Sequence, residues 1–348
     1  MALSPFDHPF LSGLLGDEEI ESHLSAEADI RAMLAFEAAL AHAQAGLGII
    51  PAEAAASIAS VRDTFIPDVG KLKTAVAMDA VVVPELVRQL RQAVGGDAAG
   101  HVHFGSTSQD VIDTSLMLRM KTIMSILAAR IEAISTLLHG LDESFGRRAL
   151  MGHTRMQAAI PITVSDRLHS WRLPLDRLKA SLTALEFPVQ FGGAAGSLDK
   201  LAEHGPAVRA ALAAELELAD WCQWQSQRDP IVEIGQQLSI ITGALGKIGQ
   251  DIALMAQAGN EIALQGGGKS SAMAHKQNPV AAETLVALAR FNAVQISGLH
   301  HALVHEQERS GAAWTLEWLI LPQMTMTASV SLRLAREMLG NIKQIGAA

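Results

Sequence analysis

From Ser106 to His139 the chain contains neither glycine nor proline. Within that run Ile112, Leu116, Ile123, Leu127, Ile131, Ile134 and Leu138, with Leu141 just beyond it, are spaced at steps of three, four or seven. Such spacing places them on a single face of an α-helix. At 1.5 Å per residue the helix would reach roughly 50 Å. That length exceeds what a compact globule needs and implies a bundle of long helices.

Four more helical stretches succeed it, at about 161–186, 230–259, 279–305 and 312–339. Pro174 and Pro322 lie inside two of them and should bend or break those helices. Gly243, Gly246 and Gly249 recur every third residue, which suits close helix–helix contact better than a catalytic role. The first hundred residues read as shorter helices with breaks. The run at 27–46 is helical, Pro51 and Pro67 punctuate the stretch after it, and Gly95, Gly96 and Gly100 mark a boundary near residue 100. The expected fold is therefore all-α, with an N-terminal helical domain over 1–104 and a long-helix bundle over 105–345. Composition agrees: 49% of the 348 residues are hydrophobic and tyrosine is absent, which favours helix over sheet.

The formal charge of −9, from 27 basic and 36 acidic residues, lacks the basic surplus of a nucleic-acid binder. A small anionic substrate remains compatible, because a few cations placed in a pocket can hold one. Cys222 is the sole cysteine, so no intrachain disulfide forms, in keeping with a reducing cytoplasm. The opening MALSPFDHPF lacks the basic and apolar regions of a signal peptide. The apolar stretch from Ile231 to Met255 carries Glu233, Lys247 and Asp251 and reads as a buried helix, not a membrane span.

Three polar segments interrupt the helical pattern. In QGGGKSSAMAHKQNP (265–279) three glycines precede Ser270, Ser271, His275, Lys276 and Asn278. Lys276 can neutralise a carboxylate, Asn278 can donate to it, and Ser270 can carry a proton if donors stabilise its alkoxide. Mobile glycines before packed polar groups suit a lid, although a solvated connector has the same composition. A phosphate loop fits poorly: the first glycine of GxxxxGK[ST] would fall on Ala263, and the segment comes after a helix. In GSTSQD (105–110), Ser106, Thr107 and Ser108 open the long helix, where they either cap it or meet an anion; His103 sits just before. In MGHTRMQAAIP (151–161), His153, Thr154, Arg155 and Gln157 precede a helix expected to start near Pro161. Arg155 could grip a carboxylate with two prongs, or the segment could be a surface turn. His301 and His305, four apart on one expected helix face, lack a third metal ligand and read as structural or surface histidines.

In this order, GSTSQDVIDT, GHTRMQAAIP and GGKSSAMAHKQNP resemble the three signature regions of the fumarase/aspartase superfamily, over nearly the whole chain. HVHFGSTSQD, SQRDP (226–230) and HEQERSGAAWTLEW (305–318) resemble its 3-carboxy-cis,cis-muconate cycloisomerase branch, and to a lesser degree adenylosuccinate lyase. The resemblance implies three helical domains, a central five-helix bundle, and a homotetramer whose twenty-helix core shares each active site among three subunits. The chain ends soon after the fifth helix, short of most of the family's C-terminal domain.

The resemblance also implies site roles. Ser270 would transfer the proton, while Lys276 and Asn278 hold a substrate carboxylate. Ser106, Thr107, Ser108, Thr154 and Gln157 would bind further carboxylates. His103, Gln109, His153, Arg155, Ser271 and Arg309 complete the substrate-binding candidates. The family's second-region histidine falls at Arg155, its proline after methionine at Ala274, and the first glycine of its GSS at Lys269. The implied chemistry lactonises a substituted muconate, a small polycarboxylate, with no metal or organic cofactor and no nucleic-acid or membrane partner. The alternatives are a fumarate-releasing lyase of the adenylosuccinate or argininosuccinate type, and a non-catalytic structural protein on the same fold.

Overall fold

The computed structural model describes residues 4–269 and 277–347. Twelve α-helices run through the described residues: α1 (Ser12–Leu15), α2 (Glu18–Leu24), α3 (Ala26–Gly46), α4 (Ala52–Val61), α5 (Val69–Asp79), α6 (Val83–Val94), α7 (Ser108–Phe145), α8 (Val164–Thr183), α9 (Gly205–Glu215), α10 (Asp229–Ala258), α11 (Val280–His301) and α12 (Gly311–Gly340). Apart from two isolated bridges, sheet among the described residues is confined to three two-stranded ladders. They pair β1 (Ala149–Thr154) with β2 (Gln157–Thr163), β3 (Ile262–Leu264) with β6 (Ile342–Ile345), and β4 (Gly268–Lys269) with β5 (Gln277–Asn278), all antiparallel. The mostly helical expectation holds.

The stripe on α7 is what builds the bundle. Ile123, Leu127, Ile131, Ile134 and Leu138 are all buried, within one core that also takes Leu168, Trp171 and Leu175 from α8, Ile241, Leu245 and Ile248 from α10, Leu285 from α11 and Met324 from α12. Each such side chain removed from water stabilises the fold by about 1.5–3 kcal/mol. α7 has the length and hydropathy to cross a bilayer, but its apolar face is spent on this core. α10 is likewise a core helix, as its charges led us to expect; Gly259 ends it in the left-handed conformation, at φ 82°. Gly246 and Gly249 face α11 so closely that a Cβ would lie 2.5 Å from Ala289 and 2.6 Å from the Ala282 carbonyl, whereas Gly243 faces open space. Two of the three glycines therefore serve close helix contact.

Two expectations about proline are settled in part. α8 and α12 are not broken at Pro174 and Pro322. An internal proline costs about 3 kcal/mol; Trp171, Leu175 and Leu178 around the first, and Ile320, Leu321 and Met324 around the second, are buried and hold the helix together. Pro161 does not open a helix. It lies in β2, and α8 starts at Val164, where Thr163 and Asp166 form a capping box.

A second core joins α3, α4, α6 and α9 with the start of α7 (Val111, Ile112), the chain at Val189–Leu201, and Trp314 of α12. It therefore sits at the end of the bundle where α7, α10 and α12 begin. The β1–β2 hairpin emerges after α7 ends. Its first residue bridges Ala347, β6 pairs with β3, and the Gly346 N–H donates to the Glu261 carbonyl, so these segments cluster at the opposite end. The 38 residues of α7, roughly 57 Å, separate the two ends.

Candidate active site

At the α7 N-terminus Thr107 and Asp110 form a capping box. The Thr107 N–H donates to the Asp110 carboxylate at 3.0 Å. Asp110 is wholly buried and accepts four more donors: the Gly192 and Gly193 N–H groups at 2.9 and 3.0 Å, Gln190 Nε2 at 3.2 Å, and the Ser106 hydroxyl at 3.5 Å. Burial pushes this carboxyl up to about 6, with the four N–H donors opposing. Through these hydrogen bonds it pins the loop Ser106–Ser108 to the 190–193 segment.

One turn further along, Asp113 meets Arg228 at 2.6 and 3.1 Å, and Arg228 meets Glu317 at 2.8 and 2.6 Å. All three side chains are excluded from water. The Trp314 indole donates to Asp113 at 3.1 Å, and Arg228 lies 4.8 Å over the Trp224 ring. Burial disfavours the charge on Arg228, but its two carboxylates outweigh that and raise it. Burial raises Glu317 despite its arginine partner. The triad ties α7, α10 and α12 together at their starts. Gln109 extends it: its amide donates to Asp113 at 3.0 Å and to the Gln225 carbonyl at 2.8 Å, and its oxygen accepts from Arg309 Nε at 2.8 Å. Gln109 is fully buried, whereas its partner Arg309 is exposed.

His103 stands beside this loop with φ 65° and its Nδ1 2.6 Å from Glu37 Oε1. α11 ends at His301, so His305 does not share a helix face with it, contrary to the sequence expectation. Both His305 ring nitrogens are buried without a hydrogen bond among the described residues; burial, with Arg228 nearby, holds this imidazole below its ordinary value. Among the described residues no group of three His, Cys, Asp or Glu could hold a metal.

The other end is built differently. Thr154 pairs with Gln157, leaving Arg155 and Met156 as a two-residue turn with φ of 47° and 65°. Two positive φ values mark a type I′ turn, which matches the twist of a hairpin but strains residues other than glycine. His153 is held only locally, by the Met151 carbonyl at 3.1 Å, and His153, Thr154, Arg155 and Gln157 are all exposed. His153 and Arg155 line a cavity of about 540 Å³ with Arg167, Lys247 and Asp251. Asp251 is bonded to Lys247 and accepts from the Trp171 indole at 2.7 Å. Asn278, half-buried in β5, pairs across the ladder with Gly268. Ser270, Ser271 and Lys276 lie outside the described residues.

The structure thus gathers His103, Ser106, Thr107, Ser108, Gln109 and Arg309 at one end, and His153, Thr154, Arg155, Gln157 and Asn278 at the other. Sequence reasoning missed Glu37, Asp110, Asp113, Gln190, Arg228 and Glu317. A signal existed for three: Asp110 and Asp113 stand three apart on the apolar side of α7, and Arg228 lies in SQRDP.

A family model described as lyase matches residues 10–298. The 3-carboxy-cis,cis-muconate cycloisomerase of Acinetobacter baylyi is 36% identical over 329 residues, covering 90% of this chain and 72% of the relative. That of Pseudomonas aeruginosa is 38% identical, covering 88% and 69%. Among solved structures, the 3-carboxy-cis,cis-muconate lactonizing enzyme of Pseudomonas putida superposes with a TM-score of 0.90 at 32% identity, over 97% of this chain and 77% of that one. A fumarate lyase from Mesorhizobium sp. BNC1 gives 0.88, also at 32%, over 95% and 76%. With that match across most of its length, and with the three signature segments in order, the chain belongs to the lyase family of fumarase/aspartase-like proteins.

Proposed function

We propose that the protein is a cycloisomerase that lactonises 3-carboxy-cis,cis-muconate or a closely related 3-substituted muconate. The observation that carries this is the match to two relatives of that activity over about nine-tenths of the chain. One substrate carboxylate attacks the conjugated alkene of the same molecule and forms the C–O bond. The electron pair moves toward a second carboxylate, which takes up the charge as an aci-carboxylate, and protonation at carbon ends the reaction. Lys276 and Asn278 are assigned to that carboxylate, where a preorganised cation and donor lower the barrier. Ser270 is assigned as proton donor, with Ser271 the neighbour that could replace it. Holding the substrate folded supplies proximity. Arg155 fits this chemistry: it cannot easily give up a proton, but it can fix a carboxylate in two-pronged geometry. Ser106, Thr107, Ser108, Thr154, Gln157 and Arg309 are read as holding the remaining carboxylates.

The site is read as shared among chains of a homotetramer, because about 57 Å of α7 keeps its two halves apart within one chain. Apolar side chains left exposed on the bundle support this, among them Leu173, Ile240, Val294 and Leu319 on α8, α10, α11 and α12. Residues 105–345 would form that core, with 1–104 packed on one end. The test is a substrate panel followed by ultraviolet absorbance. Loss of muconate absorbance without added metal is expected; release of fumarate from adenylosuccinate or argininosuccinate would replace the reading, and no turnover would favour a structural role. Sedimentation should give four chains, and a fully active monomer would defeat the shared site.

A further inference from the structure

Glu37 lies on α3, outside every segment that the sequence marks as functional. Its carboxylate is 3% exposed, and its Oε2 is buried without a partner among the described residues. Its one hydrogen bond is accepted at Oε1 from His103 Nδ1 at 2.6 Å. A buried carboxylate with half its capacity unused is costly unless the remaining contact is charge-assisted.

The backbone around His103 is held to make that contact. Gln44 Nε2 donates to the Phe104 carbonyl at 2.7 Å, and Arg91 donates to the Val102 carbonyl at 3.0 Å. Between those anchors His103 adopts φ 65°, a conformation that costs a non-glycine residue about 1 kcal/mol or more. The side chain keeps 15% of its surface, and Nε2 makes no hydrogen bond with the described residues. Three residues on, Ser106 begins the candidate carboxylate-binding loop.

We propose that Glu37 is a positioning residue that fixes His103 as an imidazolium, with its Nε2–H free to take one carboxylate of the polycarboxylate substrate beside Ser106–Ser108. This rests on the cycloisomerase reading for its substrate but not for its geometry. The electrostatics agree. Burial opposes the charge on His103, but the charge and hydrogen bond of Glu37 outweigh it; Asp110 adds to the effect and Arg91 opposes it. The net result holds the imidazole above its ordinary value. A trianionic substrate would thereby meet an imidazole whose charged form Glu37 favours, set opposite the end where Arg155 lies.

The test reads His103 directly. Diethylpyrocarbonate acylates only neutral imidazole, so the pH midpoint of His103 modification, followed by peptide mass in the assembled protein, reports its protonation. Glu37→Gln should lower that midpoint, and modification at a pH below both midpoints should speed up by about tenfold for each pH unit the midpoint moves. Glu37→Asp, which keeps the charge, should retain most of the wild-type midpoint and guards against misfolding of the first variant. With muconate, Glu37→Gln should raise KM more than it lowers kcat, increasingly so from pH 6 to 8. In a His103→Gln background the Glu37→Gln change should add nothing. Coincident midpoints for wild type and Glu37→Gln would overturn the proposal, as would a KM indifferent to pH. A lowered midpoint with no muconate turnover would leave the dyad standing and sink the substrate reading instead.

Discussion

The two ends of the bundle hold their polar residues by opposite means. Where α7, α10 and α12 begin, Asp110 accepts four N–H groups, Asp113 and Glu317 share Arg228, and Gln109 carries the network to Arg309. All of these except Arg309 are shut from water. At the other end Arg155, His153 and Gln157 stand on an exposed hairpin held by its own ladder and one bridge, Ala149 to Ala347, to the C-terminal residues. One end is built to be rigid before any ligand arrives. The other is built to reach outward, and in the proposed tetramer it would be completed by another chain. Preorganisation is thus distributed unevenly, and each end should fail in its own way.

The largest effect should come from the rigid end. Arg228→Met leaves Asp113 and Glu317 buried without their cation, a defect that costs about 3–5 kcal/mol. Thermal unfolding should show a large drop or loss of the folded protein. Replacing all three members by apolar residues of similar volume should recover most of it, because buried triads contribute little net stability. Equal behaviour of the single and triple variants would show that the triad is not the coupled unit its distances describe.

The hairpin should separate activity from stability. Arg155→Ala is expected to lower kcat/KM by about 2–5 kcal/mol if it breaks a substrate charge pair, and to change thermal stability by no more than about 0.5 kcal/mol, as for an exposed site. Arg155→Lys should lie between, since the charge survives and the fork does not. Unchanged kinetics for both would make Arg155 a bystander; a large stability loss would erase the contrast between the ends.

The contrast also explains what the sequence could tell. The bundle was legible because Ile123 through Leu138 obey one period over many turns, and Gly259 and Ser310 end and begin helices by local chemistry alone. The hairpin was not, because Arg155 and Met156 are unusual residues for a type I′ turn and Pro161 imitates a helix start. The sealed network was half legible. Asp110 and Asp113 stand on the apolar face of α7, but side-chain partners such as Gln190 and Trp314 come from 80 and 201 residues away, and no local pattern announces such pairings. Glu37 is the extreme case, one acid in an otherwise apolar stretch of α3, given meaning only by His103 across 66 residues.

A pH series probes the rigid end more gently. Because the folded-state value of His103 is raised, its contribution to stability is fully present below the unfolded value of about 6.5 and is lost as pH rises through the folded value. Thermal stability should therefore slope downward between those two values in wild type, and the slope should flatten in Glu37→Gln. A slope unaffected by the substitution would place the titration elsewhere.

The smallest effect is the most discriminating for the exposed end. Met156 is 74% exposed and holds φ 65°, so the chain retains a strained residue there with little burial in return. Left-handed backbone costs a residue other than glycine about 1–2 kcal/mol. Glycine removes that cost but loses about 0.5–1 kcal/mol more conformational entropy on folding. Met156→Gly should therefore stabilise the hairpin by a net of about 0.5 kcal/mol, the difference of those two figures, and leave turnover in place. Arg155→Gly relieves the same kind of strain at φ 47° but removes the guanidinium, so it should gain similar stability and lose activity. The pair of variants holds backbone relief constant and changes only the side chain. Hydrogen exchange across Ala149–Thr163 should slow in both, and kcat/KM should fall in one. If Met156→Gly instead destabilises the assembled protein, Met156 is covered by a neighbouring chain, and this end of the bundle is sealed after all, by the partner and not by its own fold.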